Sequence, residues 1–200
     1  LDAGAGYTNY LWSNGSVSQT INLSTATTVT VTVTDGNGCV NNTSATTTIN
    51  PNPVPSITGT LTTCQGSTTS LSAGTGYSQY LWSTGAVTQN INVGVAGPVT
   101  VTVTDANGCI GSDNTSVTVF ALPTASLSGV DTICFGQSAT IVANFAGPGP
   151  FTYNYTDGTN NFGPFTTGAA GVNLTVNPSA TATYTLVSVS NNNCAGTISG

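Results

Sequence analysis

The feature that most constrains this chain is a run that occurs twice. Val29–Cys39 reads Val-Thr-Val-Thr-Val-Thr-Asp-Gly-Asn-Gly-Cys, and Val99–Cys109 repeats it with one change, Ala106 for Gly36. Strict alternation puts every Val on one face of a strand and every Thr on the other, the pattern of a half-buried β-strand. Asn-Gly after it is expected to turn the chain back as a hairpin. Leu1 aligns with Leu71, Trp12 with Trp82, Cys39 with Cys109 and Cys64 with Cys134, each pair 70 residues apart. The chain is therefore expected to be a tandem array of small units.

Composition removes most kinds of chemistry. Lys, Arg and His are absent, and the six acidic residues are all Asp, for a net charge of −6. Acid–base catalysis by His, Lys or Glu has no residues to use. Nucleic acid is excluded as a partner, because phosphates are neutralised by Lys and Arg. Anionic lipid is disfavoured for the same reason. No run reaches the roughly 18 apolar residues that span a bilayer, so direct membrane insertion is not expected. Thr, Ser, Asn and Gly carry the polarity and strong helix formers are scarce, which predicts almost no helix.

Asn50-Pro51-Asn52-Pro53-Val54-Pro55 and Phe120-Ala121-Leu122-Pro123 are the natural boundaries, since proline cannot donate to a ladder and stiffens short linkers. They divide the chain into a partial repeat at 1–52, a complete repeat at 53–122 and a variant at 123–200. The first lacks counterparts of Pro55–Ser70, and the last runs six residues past Cys194, where the middle one continues eleven past Cys109. The chain is expected to be a window on a longer polypeptide. In the middle repeat, strands are expected at Ser56–Leu61, Thr68–Ala73, Gln79–Ser83, Ala86–Thr88, Asn90–Val93, Val99–Thr104 and Asn114–Phe120. About seven short strands with turn signals between them are the pattern of an immunoglobulin-like sandwich. Trp12 and Trp82 fall where such a sandwich places a core aromatic, and Tyr155 takes that place in the variant. In Tyr184–Val189 the alternation slips at Leu186-Val187, which predicts a bulge.

Tyr80-Leu81-Trp82-Ser83-Thr84-Gly85, the Val99–Cys109 run and the Cys-x-Gly starts at Cys64 and Cys134 resemble the PKD-like and immunoglobulin-like repeats of large Bacteroidetes cell-surface proteins, including gliding-motility-associated adhesins. The resemblance covers the whole chain. It implies all-β, tandem immunoglobulin-like (PKD-like) sandwich domains joined end to end, exported by type IX secretion and standing out from the cell as stalks or filaments. Ser13 and Ser83 stand where the usual PKD repeat has acidic residues after its Trp, which removes the basis for an inherited calcium site.

Other candidate sites have plainer readings. Gly74-Thr75-Gly76 links two strands and opens no helix, so it is not a phosphate cradle. Asp35 and Asp105 read as turn caps, since a calcium loop needs several carboxylates. No Cys-x-x-Cys occurs, which leaves zinc without its usual ligands, and no metal or cofactor is expected. Asp131-Thr132-Ile133 resembles a Bacteroidetes O-glycosylation site, with Thr132 as acceptor.

Five cysteines read as disulfide chemistry outside the cytoplasm. Two pairings are open. One joins Cys64 to Cys109 and Cys134 to Cys194 within repeats and leaves Cys39 to an upstream partner. In an immunoglobulin-like strand order, however, Cys64 and Cys109 sit at opposite ends of a strand roughly 20 Å long, and a disulfide tolerates about 7 Å between α-carbons. The other pairing joins Cys64 to Cys194 across consecutive repeats and leaves Cys39, Cys109 and Cys134 to units elsewhere; strand geometry favours it. The reading is a non-catalytic structural segment of an extracellular adhesin stalk or surface filament. Its partners are neighbouring repeats of the same polypeptide or filament. The rival is an array of glycan-binding modules holding surface polysaccharide.

Overall fold

The computed structural model describes residues 1–199, and its regular elements are all strands. Two compact units divide the chain: Leu1–Pro53 together with Ala106–Cys109 form one, and the remainder forms the other.

In the first unit, β1 (Asn9–Trp12), β2 (Thr27–Thr34) and β3 (Val40–Thr47) form an antiparallel sheet in that order. The alternating Val29, Val31 and Val33 are buried with Trp12 and Ile21 in one core, while the Thr residues between them face out. Thr28 and Thr46 meet across the strands, hydroxyl to hydroxyl at 2.8 Å. Asn37-Gly38 lies in the hairpin turn between β2 and β3, as expected, and the turn is longer than a two-residue one. Thr34 pairs with Val40, so five residues make the loop, closed by Asp35 N–H to Cys39 O at 3.0 Å. A two-residue type I′ turn needs positive φ at the Asn, whereas here Gly38 adopts +83° and no non-glycine residue has positive φ.

The second unit opens with β4 (Thr58–Gly59), β5 (Thr62–Cys64), β6 (Thr69–Ser72), β7 (Gln79–Trp82), β8 (Asn90–Val93), β9 (Gly97–Thr104) and β10 (Ile110–Phe120). They make two facing sheets, β4-β6-β8 and β5-β10-β9-β7. This is the immunoglobulin-like strand order, in which the first strand splits between the two sheets. Of the single strand expected over Ser56–Leu61 only Thr58–Gly59 is strand, and pairing resumes beyond it at Thr62–Cys64, because Gly59 at φ +131° lets the chain leave β6 and cross to β10; an added Cβ there would collide with Ser70 O. Ala86–Thr88 is not a strand; it runs as a loop under the Trp82 indole. Leu71, Trp82, Val101, Val103 and Val117 are fully buried in the core. Burial of such aliphatic side chains contributes on the order of 1.5–3 kcal/mol each.

A further core lies in the same compact unit. Its strands are β11 (Thr124–Ser128), β12 (Ala139–Ala146), β13 (Phe151–Thr156), β14 (Asn161–Thr167), β15 (Gly171–Val176), β16 (Thr185–Ser190) and β17 (Thr197–Ser199). The sheets are β15-β12-β11-β17 and β14-β13-β16. Lacking a Trp, this core is filled by rings: Tyr153 lies 4.8 Å from Phe145, and Tyr155 stacks on Phe162 at 4.9 Å. Asn154 pairs with Ser188 and Tyr155 with Leu186, so Val187 is the bulged residue, where the alternation slips.

Candidate functional site

The chemistry that stands out is covalent and joins the last two cores. Cys64 closes β5, which lies parallel to the end of β10 with Thr62 beside Thr118 and Cys64 beside Phe120. Thr118 N–H donates to Leu61 O at 2.9 Å and Gln65 N–H to Phe120 O at 2.8 Å, so both ends of the segment are fixed. The Cys-x-Gly turn then closes through Ser67 N–H to Cys64 O at 2.9 Å, with Gly66 at φ +83°.

Cys194 ends the hairpin that follows β16. Asn191 Oδ1 accepts the backbone N–H of Asn193 at 2.9 Å and of Cys194 at 2.7 Å, while its Nδ2 donates to Pro148 O at 3.0 Å. One carboxamide thus shapes the loop and anchors it. Asp35 shapes the first cysteine hairpin by the same acceptor bonds, its Oδ1 accepting from Asn37 at 2.8 Å and Cys39 at 2.9 Å. Asp35 is therefore a turn cap, and Asn191, which has no repeat counterpart of the Asp-x-Asn-Gly type to mark it, fills the same role. The shared signal is a side-chain acceptor a few residues before each cysteine.

Cys64 and Cys194 are joined by a disulfide, with their α-carbons 5.9 Å apart and a sequence separation of 130. Cys194 is only 4% exposed. Because each sulfur takes one partner, neither Cys64–Cys109 nor Cys134–Cys194 forms. Cys39 and Cys134 are exposed thiols, and Cys109 Sγ lies 3.7 Å from Asn50 O within the first unit.

The aromatic candidates are all inside. Trp12 is 3% and Trp82 2% exposed, and Tyr155 is buried. The Trp12 indole N–H donates to Ser18 O at 2.7 Å and that of Trp82 to Thr88 O at 2.8 Å, contacts that residue spacing did not reveal. Tyr10 and Tyr80 donate their hydroxyls to Gly4 O and Gly74 O at 2.9 and 3.0 Å, which accounts for the two glycine loops as acceptors. Thr132 is exposed, and its N–H is held by Asp131 Oδ1 at 2.9 Å. Asp113, unremarked in the sequence, accepts Ile57 N–H at 2.7 Å and ties the first segment of its repeat to β10. Among the described residues, no group of three or more His, Cys, Asp or Glu comes together to hold a metal ion.

No protein-family description and no curated protein matches the chain. Among solved structures it is similar to an I-band fragment of titin, at 14% identity and a TM-score of 0.44, over all of this chain and 83% of that one. A three-immunoglobulin structure of titin domains aligns over the same shares at 13% identity and a TM-score of 0.42. A glucan-utilisation protein of Bacteroides ovatus, in complex with a mixed-linkage heptasaccharide, aligns with 96% of this chain and 56% of its own at 16% identity and a TM-score of 0.24. The chain itself has the fold of tandem immunoglobulin-like domains, as its facing sheets and strand order show.

Proposed function

We propose that this chain is a non-catalytic structural segment of a long extracellular adhesin stalk or surface filament, built of immunoglobulin-like repeats at 1–52, 53–122 and 123–200. The observation that carries the reading is the Cys64–Cys194 bond. Tension applied outside that pair passes through Cys64, the two sulfurs and Cys194. Residues 65–193, which hold nearly all of both cores, are bypassed. A disulfide of this kind persists only in an oxidising environment, which supports a place outside the cytoplasm. The motif resemblance of Tyr80–Gly85 and Val99–Cys109 supports export by type IX secretion to the cell surface. Absence of Lys and Arg fits exposure, because trypsin-like proteases find no cleavage site. The burial of Trp12 and Trp82 takes away the two largest platforms on which a sugar would stack.

Single-molecule stretching of the chain by its two ends tests the proposal. Each residue released from a fold adds at most about 3.3–3.6 Å of length. The oxidised chain should show no release of residues 65–193, and reductant should restore that length. Equal extension with and without reductant would overturn the mechanical role.

A further inference from the structure

The variant repeat differs from the one before it in two connections. Between β7 and β8 the middle repeat runs through 83–89 without a strand, and between β8 and β9 it needs only 94–96. The corresponding stretches of the variant are 157–170, which contains β14, and 177–184. Phe162 of β14 and the 177–184 loop line the same cavity, of about 880 Å³. β14 and β15 are the outer strands of their sheets, on the flank away from β17. Added length on a rigid scaffold is where binding residues concentrate.

The floor of the cavity is aromatic. Tyr155 stacks on Phe162 with ring centroids 4.9 Å apart, and Tyr184 lies 6.3 Å from Tyr155. Phe162 and Tyr184 are only partly buried. Tyr155, aligned with Trp82, is 8% exposed, but the two differ at the polar atom. The Trp82 indole N–H is satisfied by Thr88 O, whereas the Tyr155 hydroxyl has no hydrogen-bond partner among the described residues. No buried side-chain oxygen or nitrogen among those residues lacks a partner, so this hydroxyl reaches open space, and the cavity is the space that Tyr155 borders. An unpartnered hydroxyl on so deeply buried a side chain points to a polar ligand. Burial holds the phenols of Tyr155 and Tyr184 above the ordinary tyrosine value, so both are donors at neutral pH. On the rim, Asp157 Oδ1 accepts the N–H of Thr159 at 2.8 Å and of Asn160 at 2.6 Å, and Oδ2 accepts from Asn160 Nδ2 at 3.1 Å, which fixes that wall.

We propose that this cavity is a binding site for a neutral saccharide. Phe162 and Tyr184 offer ring surface to the apolar face of a sugar, while the two phenols and the Asn177 carboxamide supply donors and Asp157 an acceptor for its hydroxyls. The volume lies within the range of small-ligand sites. An anionic sugar has no Lys or Arg to meet it and would face Asp157. A quaternary ammonium ion carries no hydrogen-bonding group for the Tyr155 hydroxyl. The middle repeat lacks both added stretches, so the site belongs to the variant and adds a recognition role to the mechanical one.

Isothermal titration calorimetry of the full chain tests the assignment, with cellotetraose, maltotetraose, xylotetraose and mannotetraose as neutral probes and tetragalacturonate and choline as charged ones. At least one neutral sugar should bind, and neither charged probe should. Tyr155→Phe keeps the ring and removes a hydroxyl that bonds nothing in the fold. It should leave the melting temperature unchanged and weaken sugar binding about threefold to tenfold. Tyr184→Phe should act in the same way. No binding of any neutral sugar at millimolar concentration, binding of a charged probe as tight as that of any neutral sugar, or parental sugar affinity in both variants would overturn the proposal.

Discussion

The indole N–H of Trp82 donates to the carbonyl of Thr88 at 2.8 Å, and Trp12 makes the corresponding bond to Ser18 at 2.7 Å. The largest side chain of each core thereby also pins the loop after its strand, which explains why 86–88 is a loop in the immunoglobulin-like frame. Trp82→Phe keeps an aromatic ring but leaves a gap and an unpaired carbonyl. It should destabilise the repeat by about 2–3 kcal/mol, from the lost volume and the broken bond together. Denaturant unfolding of the variant against the parent checks this; a loss below about 1 kcal/mol would mean that the indole bond adds nothing to burial.

Asn191 shapes the hairpin that presents Cys194. Asn191→Ala removes the acceptor for two N–H groups and the donor to Pro148. The hairpin should lose about 1–2 kcal/mol of organisation. The Cys64–Cys194 bond should become about tenfold easier to reduce at equilibrium with dithiothreitol, since 1.4 kcal/mol is a factor of ten. Asn191→Asp should restore most of the loss, because Asp35 performs the acceptor role in its own hairpin. An alanine variant that reduces like the parent would remove Asn191 from the account.

Burial raises the phenol pKa of Tyr153 and of Tyr155 in the core around β13. Their folded values lie above the unfolded one, so the neutral form stabilises the fold. That contribution is complete below the ordinary tyrosine range near pH 10 and is lost as pH rises through the folded values. Melting temperature followed from about pH 8 to 12 should fall on the alkaline side. In a chain carrying Tyr153→Phe and Tyr155→Phe the fall should be smaller; an identical alkaline loss would place its cause elsewhere.

Much of the fold was legible because it depends on side-chain alternation. Val29, Val31 and Val33 are inside because period two allows nothing else, and the slip at Leu186-Val187 marked the bulge at Val187. Where backbone conformation decides, the letters were less informative. The strand split at Gly59 and the five-residue loop around Gly38 depend on positive φ, which a glycine permits without requiring. The indole bonds and the Asp113 link to Ile57 are tertiary contacts with no local signal. The cysteine pairing was legible only through topology: strand length separates Cys64 from Cys109, while the folded chain brings Cys64 to Cys194, 130 residues away.

The covalent bypass from Cys64 to Cys194 is most directly tested by non-reducing peptide mapping. Cleavage before aspartate separates residues 35–104, 105–112, 131–156 and 157–200, which carry Cys64, Cys109, Cys134 and Cys194 in turn. A Cys39→Ser background leaves Cys64 as the sole cysteine of the 35–104 peptide. The predicted result is 35–104 cross-linked to 157–200 and separated by reductant. Cross-linking of 35–104 to 105–112, or of 131–156 to 157–200, would contradict it.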